Sequence, residues 1–381
     1  MKMTPQMQQY VLDSQEEIKS LIKELCKIPA PSNFETQRAA FCKEWFEKNG
    51  FPEVFIDDAE NVICPIGVTE DNDVTVIMAH TDIVFPDTTP LPFKEEDGKF
   101  CCPGVGDDTA NLASLMVLSR YMVQNGLTPK NGGVLFVANS GEEGLGNLRG
   151  SRNIVKTYGQ RIKEFISLDG QVFGQAVNHA VGSHRYEVTV TTEGGHSYGA
   201  FGNRNAIACM ASMINTFYSV KVPQEGNSKT TYNVGVINGG TSVNSICQKV
   251  TMLYEYRSDN LNCLNKMKAM FDAVIEAYRA TGIGVDVKLV GDRPCAEVKD
   301  PAAQAAIEAK LAQSYKDLFN FDVKFTSGST DLNSSLAAGI PSVCYGVYTG
   351  AGSHSREEYI NVDSLKDGCA LVMDFMCNYF E

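Results

Sequence analysis

The sequence predicts an α/β domain with a mixed, mostly parallel sheet flanked by helices, interrupted by an inserted ferredoxin-like α+β domain. Three observations predict it. Nearly continuous apolar runs at 74–79, 134–138 and 165–168 read as strands buried on both faces. Around Gly182 the pattern changes to alternating polar and apolar strands with two long amphipathic helices, in the order β-α-β-β-α-β. After Pro294 the first pattern returns. The discontinuous first domain is therefore expected at 1–182 and 294–381, and the insertion at 183–293.

The elements follow in order. Ser14 and Glu17 have the spacing of a capping box, and Ile18, Leu21, Ile22 and Leu25 follow at helical spacing. Pro29 and Pro31 stop that helix, and a second is expected over 36–49, ended by Gly50. Short strands are expected at 55–56 and 62–64. The strand at 74–79 ends in His80-Thr81-Asp82. Residues two apart in extended chain point to one side, so His80 and Asp82 can meet. The stretch 85–104 reads as a long loop that closes on Gly106-Asp107-Asp108, ahead of a helix carrying Leu112, Leu115, Met116 and Val123 on one face. The strand at 134–138 runs into Ser140-Gly141-Glu142-Glu143-Gly144, and the strand at 165–168 into Asp169-Gly170. The insertion holds helices at 205–218 and 261–279, with strands at 185–192, 231–237, 249–256 and 285–290. Beyond it come a helix at 301–315, a strand at 323–325, a helix opened by Gly328-Ser329-Thr330-Asp331, a strand at 341–345 and a helix at 362–380. Gly352-Ser353-His354-Ser355 lies between the last two.

The totals exclude several functions. A chain of 381 residues with 43% hydrophobic and 21% charged residues suits a soluble globular protein with a buried core. A net charge of −13 argues against nucleic acid or anionic membranes as main partners. No apolar run reaches membrane-spanning length, and the first ten residues lack a signal-peptide pattern. The 12 cysteines are scattered, with no CxxC spacing, and read as small buried hydrophobes of a reduced, cytoplasmic protein.

Ligands in open α/β sheets gather beyond the carboxyl ends of the strands. His80, Asp82, Asp107, Glu142, Glu143, Asp169 and His354 sit at such ends or in loops. Five of these can ligate two divalent cations, leaving one carboxylate to orient and one to move protons. Imidazole and carboxylate suit zinc, and also cobalt or manganese. Taken singly, each has a plainer reading. His80 can be capped by Asp82, Asp107-Asp108 can cap a helix, Glu142-Glu143 can be solvated, Asp169-Gly170 can be a turn, and His354 can be an exposed loop residue. Their common position in one α/β unit favours the joint reading.

In this order and spacing, His80-Thr81-Asp82, Gly106-Asp107-Asp108, Glu142-Glu143, Leu168-Asp169-Gly170 and His354-Ser355 resemble the co-catalytic two-zinc exopeptidase and deacylase family. That family includes peptidase T, glutamate carboxypeptidase, acetylornithine deacetylase, succinyl-diaminopimelate desuccinylase and aminoacylase-1. The resemblance covers nearly the whole chain, and the insertion falls where the family has its lid. It implies that Asp107 bridges two cations, that His80 and Asp169 complete one, and that Glu143 and His354 complete the other. It implies Glu142 as general base and acid, Asp82 as the group fixing the His80 tautomer, and a cis Asp107–Asp108 peptide. In the lid, Gly194-Gly195-His196-Ser197 matches a motif whose histidine reaches the active site of a neighbouring subunit, which implies a homodimer. Asn244 and Arg257 match positions that hold substrate carbonyl or carboxylate groups. Gly328, Ser329, Thr330 and Asp331 resemble a substrate-binding loop beside the metals, whose glycine permits close backbone approach. One departure stands out: Thr109-Ala110 replaces the family's usual Lys-Gly, which leaves the pairing of Asp108 open. His179 and His184 read as structural.

The function implied is metal-dependent hydrolysis of one amide bond in a short peptide, in the manner of peptidase T or a dipeptidase. The alternative within enzymes is a biosynthetic deacylase acting on an N-acyl amino acid. A non-catalytic binding protein would be favoured by a lost ligand or a missing Glu142, and neither is seen. A nucleotide site near Gly144 and Gly146 lacks the full phosphate loop.

Overall fold

The structure, a computed structural model, describes residues 2–170, 173–296 and 298–381. The chain divides into two units, Met1–Ala180 with Glu297–Glu381, and Val181–Ala296. The first unit begins with strands β1 (Phe55–Ile56), β2 (Val62–Ile66), β3 (Val74–His80), β4 (Lys94–Glu96), β5 (Lys99–Cys101), β6 (Gly133–Asn139), β7 (Ile162–Leu168) and β8 (Gln175–Ala180). The second unit supplies β9 (Gly182–Thr191), β10 (Gly195–His196), β11 (Thr230–Gly239), β12 (Ser245–Ile246), β13 (Lys249–Ser258) and β14 (Gly284–Arg293). The chain then returns with β15 (Lys324–Gly328), β16 (Ser342–Tyr345), β17 (Gly350–Ala351) and β18 (Tyr359–Asn361).

Eight strands make one sheet in the order β1-β2-β6-β3-β7-β16-β8-β15. Its centre, β6, β3, β7 and β16, is parallel. The apolar runs are continuous because both faces are covered. Val74, Val76, Met78, Leu135 and Val137 face one cluster with Phe165 and Ile154. Ile77, Ala79, Phe136 and Ala138 face the larger core, where Ile18, Leu115, Leu311 and Val372 arrive from helices. Parallel strands deliver their carboxyl ends to one edge, so His80, Asn139 and Leu168 end side by side there.

Three local expectations differ from the structure. Ser14 makes no side-chain cap, because its backbone is already helical and continues from the helix Pro5–Asp13. That helix is itself capped by Thr4. The stretch 85–104 is not all loop: β4 and β5 join β18 and β17 in a small sheet. Strand β8, whose Gln175-Ala-Val-Asn-His-Ala carries little apolar signal, also went unpredicted, and His179 lies in it opposite Ser327. Arg38 is fully buried and donates to the carbonyls of Leu25, Ile28 and Thr81, which ties the N-terminal helices to the chain beside His80.

In the second unit, β11-β13-β9-β14 form an antiparallel sheet. Helices Ala206–Ser219 and Leu261–Ala280, each N-capped by an asparagine side chain, place Met210, Met213, Phe217, Met267 and Phe271 against Val188, Met252 and Tyr254. The helices and strands alternate in the ferredoxin-like order. His184 bonds the Tyr256 hydroxyl at 2.7 Å. Of the 12 cysteines, all free, ten are buried. Among the described residues, no helix is long and apolar enough to cross a membrane.

Candidate metal centre

His80 ends β3. Its Nδ1 lies 3.0 Å from the Asp82 carbonyl, which can only accept, so Nδ1 donates there and Nε2 faces the inside of the cluster. Nε2 is 3.1 Å from Asp107 Oδ1. The Asp82 carboxylate, 3.4 Å from the same Nδ1, also holds the neighbouring turn. Its Oδ1 accepts from the Glu142 N–H, and its Oδ2 accepts from the Glu143 N–H and the Ser32 hydroxyl, at 2.9, 2.9 and 2.7 Å. One buried carboxylate thus anchors the acidic pair, beside the histidine that the Asp82 carbonyl contacts.

On the other side, His354 Nε2 lies 3.2 Å from Asp107 Oδ2 and 2.8 Å from Glu143 Oε1. Asp107 therefore stands between two imidazoles, one on each oxygen. The Asp107–Asp108 peptide is cis. Potential ligand atoms fall into three groups, each within 4.8 Å: His80, Asp107, Asp108 and Asp169; His80, Glu142 and Glu143; and Asp107, Glu143 and His354. Asp107 belongs to the first and the last.

Burial and mutual repulsion make the cluster acid-rich and short of positive charge. Burial and then the Asp107 charge push Asp169 well above the usual carboxylate range and Glu143 up to about 7. Burial also raises Asp107, but His354 and His80 outweigh it and hold Asp107 low. Contacts with Asp107 and Glu143 push His354 up to about 11. A proton on the imidazole here takes the place that a cation would fill. Imidazole and carboxylate donors converging on a charge-starved pocket suit divalent metal ions.

Asp108, the residue whose pairing was open, is fully buried. Its Oδ2 accepts from the His80 N–H at 2.8 Å and its Oδ1 from Asn111 Nδ2 at 2.6 Å. Asn111, three residues on, thus supplies the local partner. Asn139, and its bond to Asp331 of the substrate-loop motif, are not foreseen from the sequence. Asn139 Nδ2 donates to Asp331 Oδ2 at 2.6 Å, and burial followed by the Glu142 charge pushes Asp331 up to about 7. Their positions in the sequence, at a strand end and a helix start, were visible, but no spacing joins residues 192 apart.

The remaining candidates are placed as follows. Gly328 ends β15, and a Cβ there would meet Val177 at 2.8 Å, so the close approach it permits is to the neighbouring strand. Ser329 follows it, and the Thr330 hydroxyl accepts from the Leu332 N–H at the start of helix Leu332–Ala338. In the second unit, His196 pairs with Ser245 across the β10–β12 ribbon, and the Ser197 N–H bonds the Asn244 carbonyl at 2.9 Å. The ribbon therefore brings His196 and Asn244 together, on the wall of a cavity of about 650 Å³. His196 Nδ1 accepts from the N–H groups of Tyr198 and Gly199, so in the neutral ring Nε2 carries the proton as an outward donor. The Arg257 guanidinium makes two 3.0 Å bonds to the Glu255 carboxylate, which occupies the fork expected for substrate.

The profile described as Peptidase family M20/M25/M40 matches residues 76–378, and the chain belongs to that family of dinuclear-metal metallopeptidases and amidohydrolases. In sequence the chain is similar to a probable succinyl-diaminopimelate desuccinylase of Staphylococcus epidermidis, 21% identical over 97% of this chain and 99% of that one. In structure it is similar to the aminopeptidase PepT of Bacillus cereus, with a TM-score of 0.70 and 23% identity over 95% of this chain and 97% of that one. It is also similar to the dipeptidase Dug1p of Saccharomyces cerevisiae, with a TM-score of 0.78 and 15% identity over 97% of each chain.

Proposed function

We propose that this enzyme hydrolyses one amide bond in a short peptide, as a di- or tripeptidase-like exopeptidase with two zinc ions per subunit. The observation that carries the reading is Asp107, shared by the group that holds His80 and Asp169 and the group that holds Glu143 and His354. In this reading His80 and Asp169 would hold one cation, Glu143 and His354 the other, and Asp107 would serve both. When bound, the cations would lower the pKa of an attacking water and polarise the scissile carbonyl. Glu142 would take the proton from the attacking water and give it to the leaving nitrogen. Asp82 keeps the His80 ring and the Glu142-Glu143 turn in place. His196, Asn244 and Arg257, together with Gly328, Ser329 and Thr330, serve as substrate contacts. Arg257 would have to exchange Glu255 for a substrate carboxylate. We place the enzyme in the cytoplasm as a homodimer through its second unit, with His196 acting on the neighbouring subunit.

A deacylase acting on an N-acyl amino acid is the second reading, supported by the name of the desuccinylase relative. One experiment tests both: metal analysis combined with hydrolysis of tripeptides, dipeptides and acyl amino acids, before and after chelation. The expected result is two equivalents of cation, loss of activity on chelation, recovery on adding zinc, and cleavage of peptides ahead of acyl amino acids. Activity that survives complete metal removal would overturn the mechanism. Preference for an acyl amino acid would transfer the assignment to the second reading.

Asp82 gives a graded test. Asp82→Asn places an amide where the carboxylate accepts from two backbone N–H groups and a hydroxyl. Metal affinity is expected to fall about 10–100-fold, as for other partners of metal-ligating histidines, measured by competition with a chromogenic chelator. Unchanged affinity would remove Asp82 from the centre.

A further inference from the structure

Glu358 lies four residues after His354 and is 2% exposed, with no cation paired to it among the described ion pairs. Its carboxylate accepts three backbone N–H groups: Gly104 at 2.6 Å on Oε2, and Gly106 at 3.0 Å and Asp107 at 2.8 Å on Oε1. The loop that offers them is tightly wrapped. A Cβ on Gly104 would meet Ile83 at 2.4 Å, and one on Gly106 would meet Tyr348 at 2.5 Å. Successive N–H groups turned inward in this way form a concave anion-binding nest. Such nests commonly hold a phosphate or another outside anion. Here the anion is the chain's own side chain.

The carboxylate also connects two parts of the metal centre. The Cys102 N–H bonds the Glu358 carbonyl at 3.1 Å, and β18 then pairs with β5 through Tyr359 and Cys101. The main chain thus brings residue 358 alongside residue 102, and the side chain reaches on to the amide of Asp107. His354, in the same stretch of chain and with φ of 64°, contacts Asp107 Oδ2 and Glu143. The distance between the chain bearing Asp107 and the chain bearing His354 is therefore spanned by one side chain.

We propose that Glu358 is a positioning residue that sets the spacing of Asp107 and His354, and so the affinity of the cation these two share with Glu143. The inference rests on the metal-centre reading given above. It predicts the larger loss at the cation these two share with Glu143, and a smaller one at the cation that Asp107 shares with His80 and Asp169. In Glu358→Gln the amide keeps one acceptor oxygen but sets its NH2 against at least one inward N–H, so the nest opens and Asp107 moves away from His354. His80 and Asp169 reach the centre from β3 and β7, which Glu358 does not touch.

The test is Zn²⁺ titration of the full chain against a chromogenic chelator, with wild type, Glu358→Gln and Glu358→Asp, and with His354→Ala as the one-site reference. In Glu358→Gln one equivalent should bind about 10–100-fold more weakly, the size found for outer partners of metal ligands. The other should lose less, binding no more tightly than the single equivalent that His354→Ala retains. Added Zn²⁺ should restore kcat in this variant with KM near the wild-type value, which general loosening of the fold would not allow. Glu358→Asp keeps the charge with a shorter reach and should lie between the two, and it carries the test alone if the glutamine variant does not fold. Two wild-type affinities in either folded variant overturn the proposal while leaving the metal-centre reading intact. A wild-type protein that binds no Zn²⁺ overturns both.

Discussion

Glu142→Ala should lower kcat by about 10²–10⁴-fold, the usual range for a positioned acid–base group, while two equivalents of cation stay bound. The structure makes this variant clean. The turn is anchored to Asp82 through the backbone N–H groups of residues 142 and 143, and alanine keeps both. Glu143, whose Oε1 contacts His354, is left in place. Steady-state kinetics on the best peptide, paired with metal analysis of the same sample, reads both quantities. Wild-type turnover would remove Glu142 from proton transfer. Loss of a cation would reverse the division of work between the two glutamates.

Asp107→Ala should be the most damaging single change. Asp107 alone belongs to both the His80–Asp169 group and the Glu143–His354 group, so its loss is expected to weaken both cations beyond the roughly 100-fold effect of an outer partner. At a free Zn²⁺ concentration that saturates wild type, the variant should bind none and show no turnover, whereas His354→Ala should keep one equivalent. The backbone N–H of residue 107 still bonds Glu358, so the loop has reason to keep its path. An Asp107→Ala protein holding one cation at wild-type affinity would show that the carboxylate is not shared.

The catalytic unit was legible where local signals agree. Strands β3, β6 and β7 announce themselves as apolar runs, and each leads into an acid-bearing turn, so the gathering of His80, Glu142, Glu143 and Asp169 at one sheet edge follows from parallel pairing. What stayed hidden depends on partners far away in the chain. Glu358 bonds N–H groups more than 250 residues earlier, and Asp331 meets Asn139 across 192 positions. A backbone amide has no letter in the sequence, so nothing marks Glu358 as different from a surface glutamate. Ser14 shows the opposite error. Its spacing to Glu17 signals a helix start, but Thr4 and Pro5 had already begun the helix upstream, and Ser14 is passed in helical conformation. Strand β8 lacked apolar periodicity because only Ala176 and Ala180 of it are buried.

The strand order has a consequence for how the protein is made. Strand β16 sits between β7 and β8, although some 160 residues of chain separate it from β8. At about 5–20 residues per second of synthesis, roughly 10–30 s pass between the appearance of β8 and that of its neighbour. For that interval the nascent sheet has a gap in its middle, and His354 has not yet been made. The second unit has its whole sheet available during the same interval and can finish folding first. Ribosome-bound chains stopped before residue 342 should therefore present a completed insertion beside a catalytic sheet still waiting for its central strand.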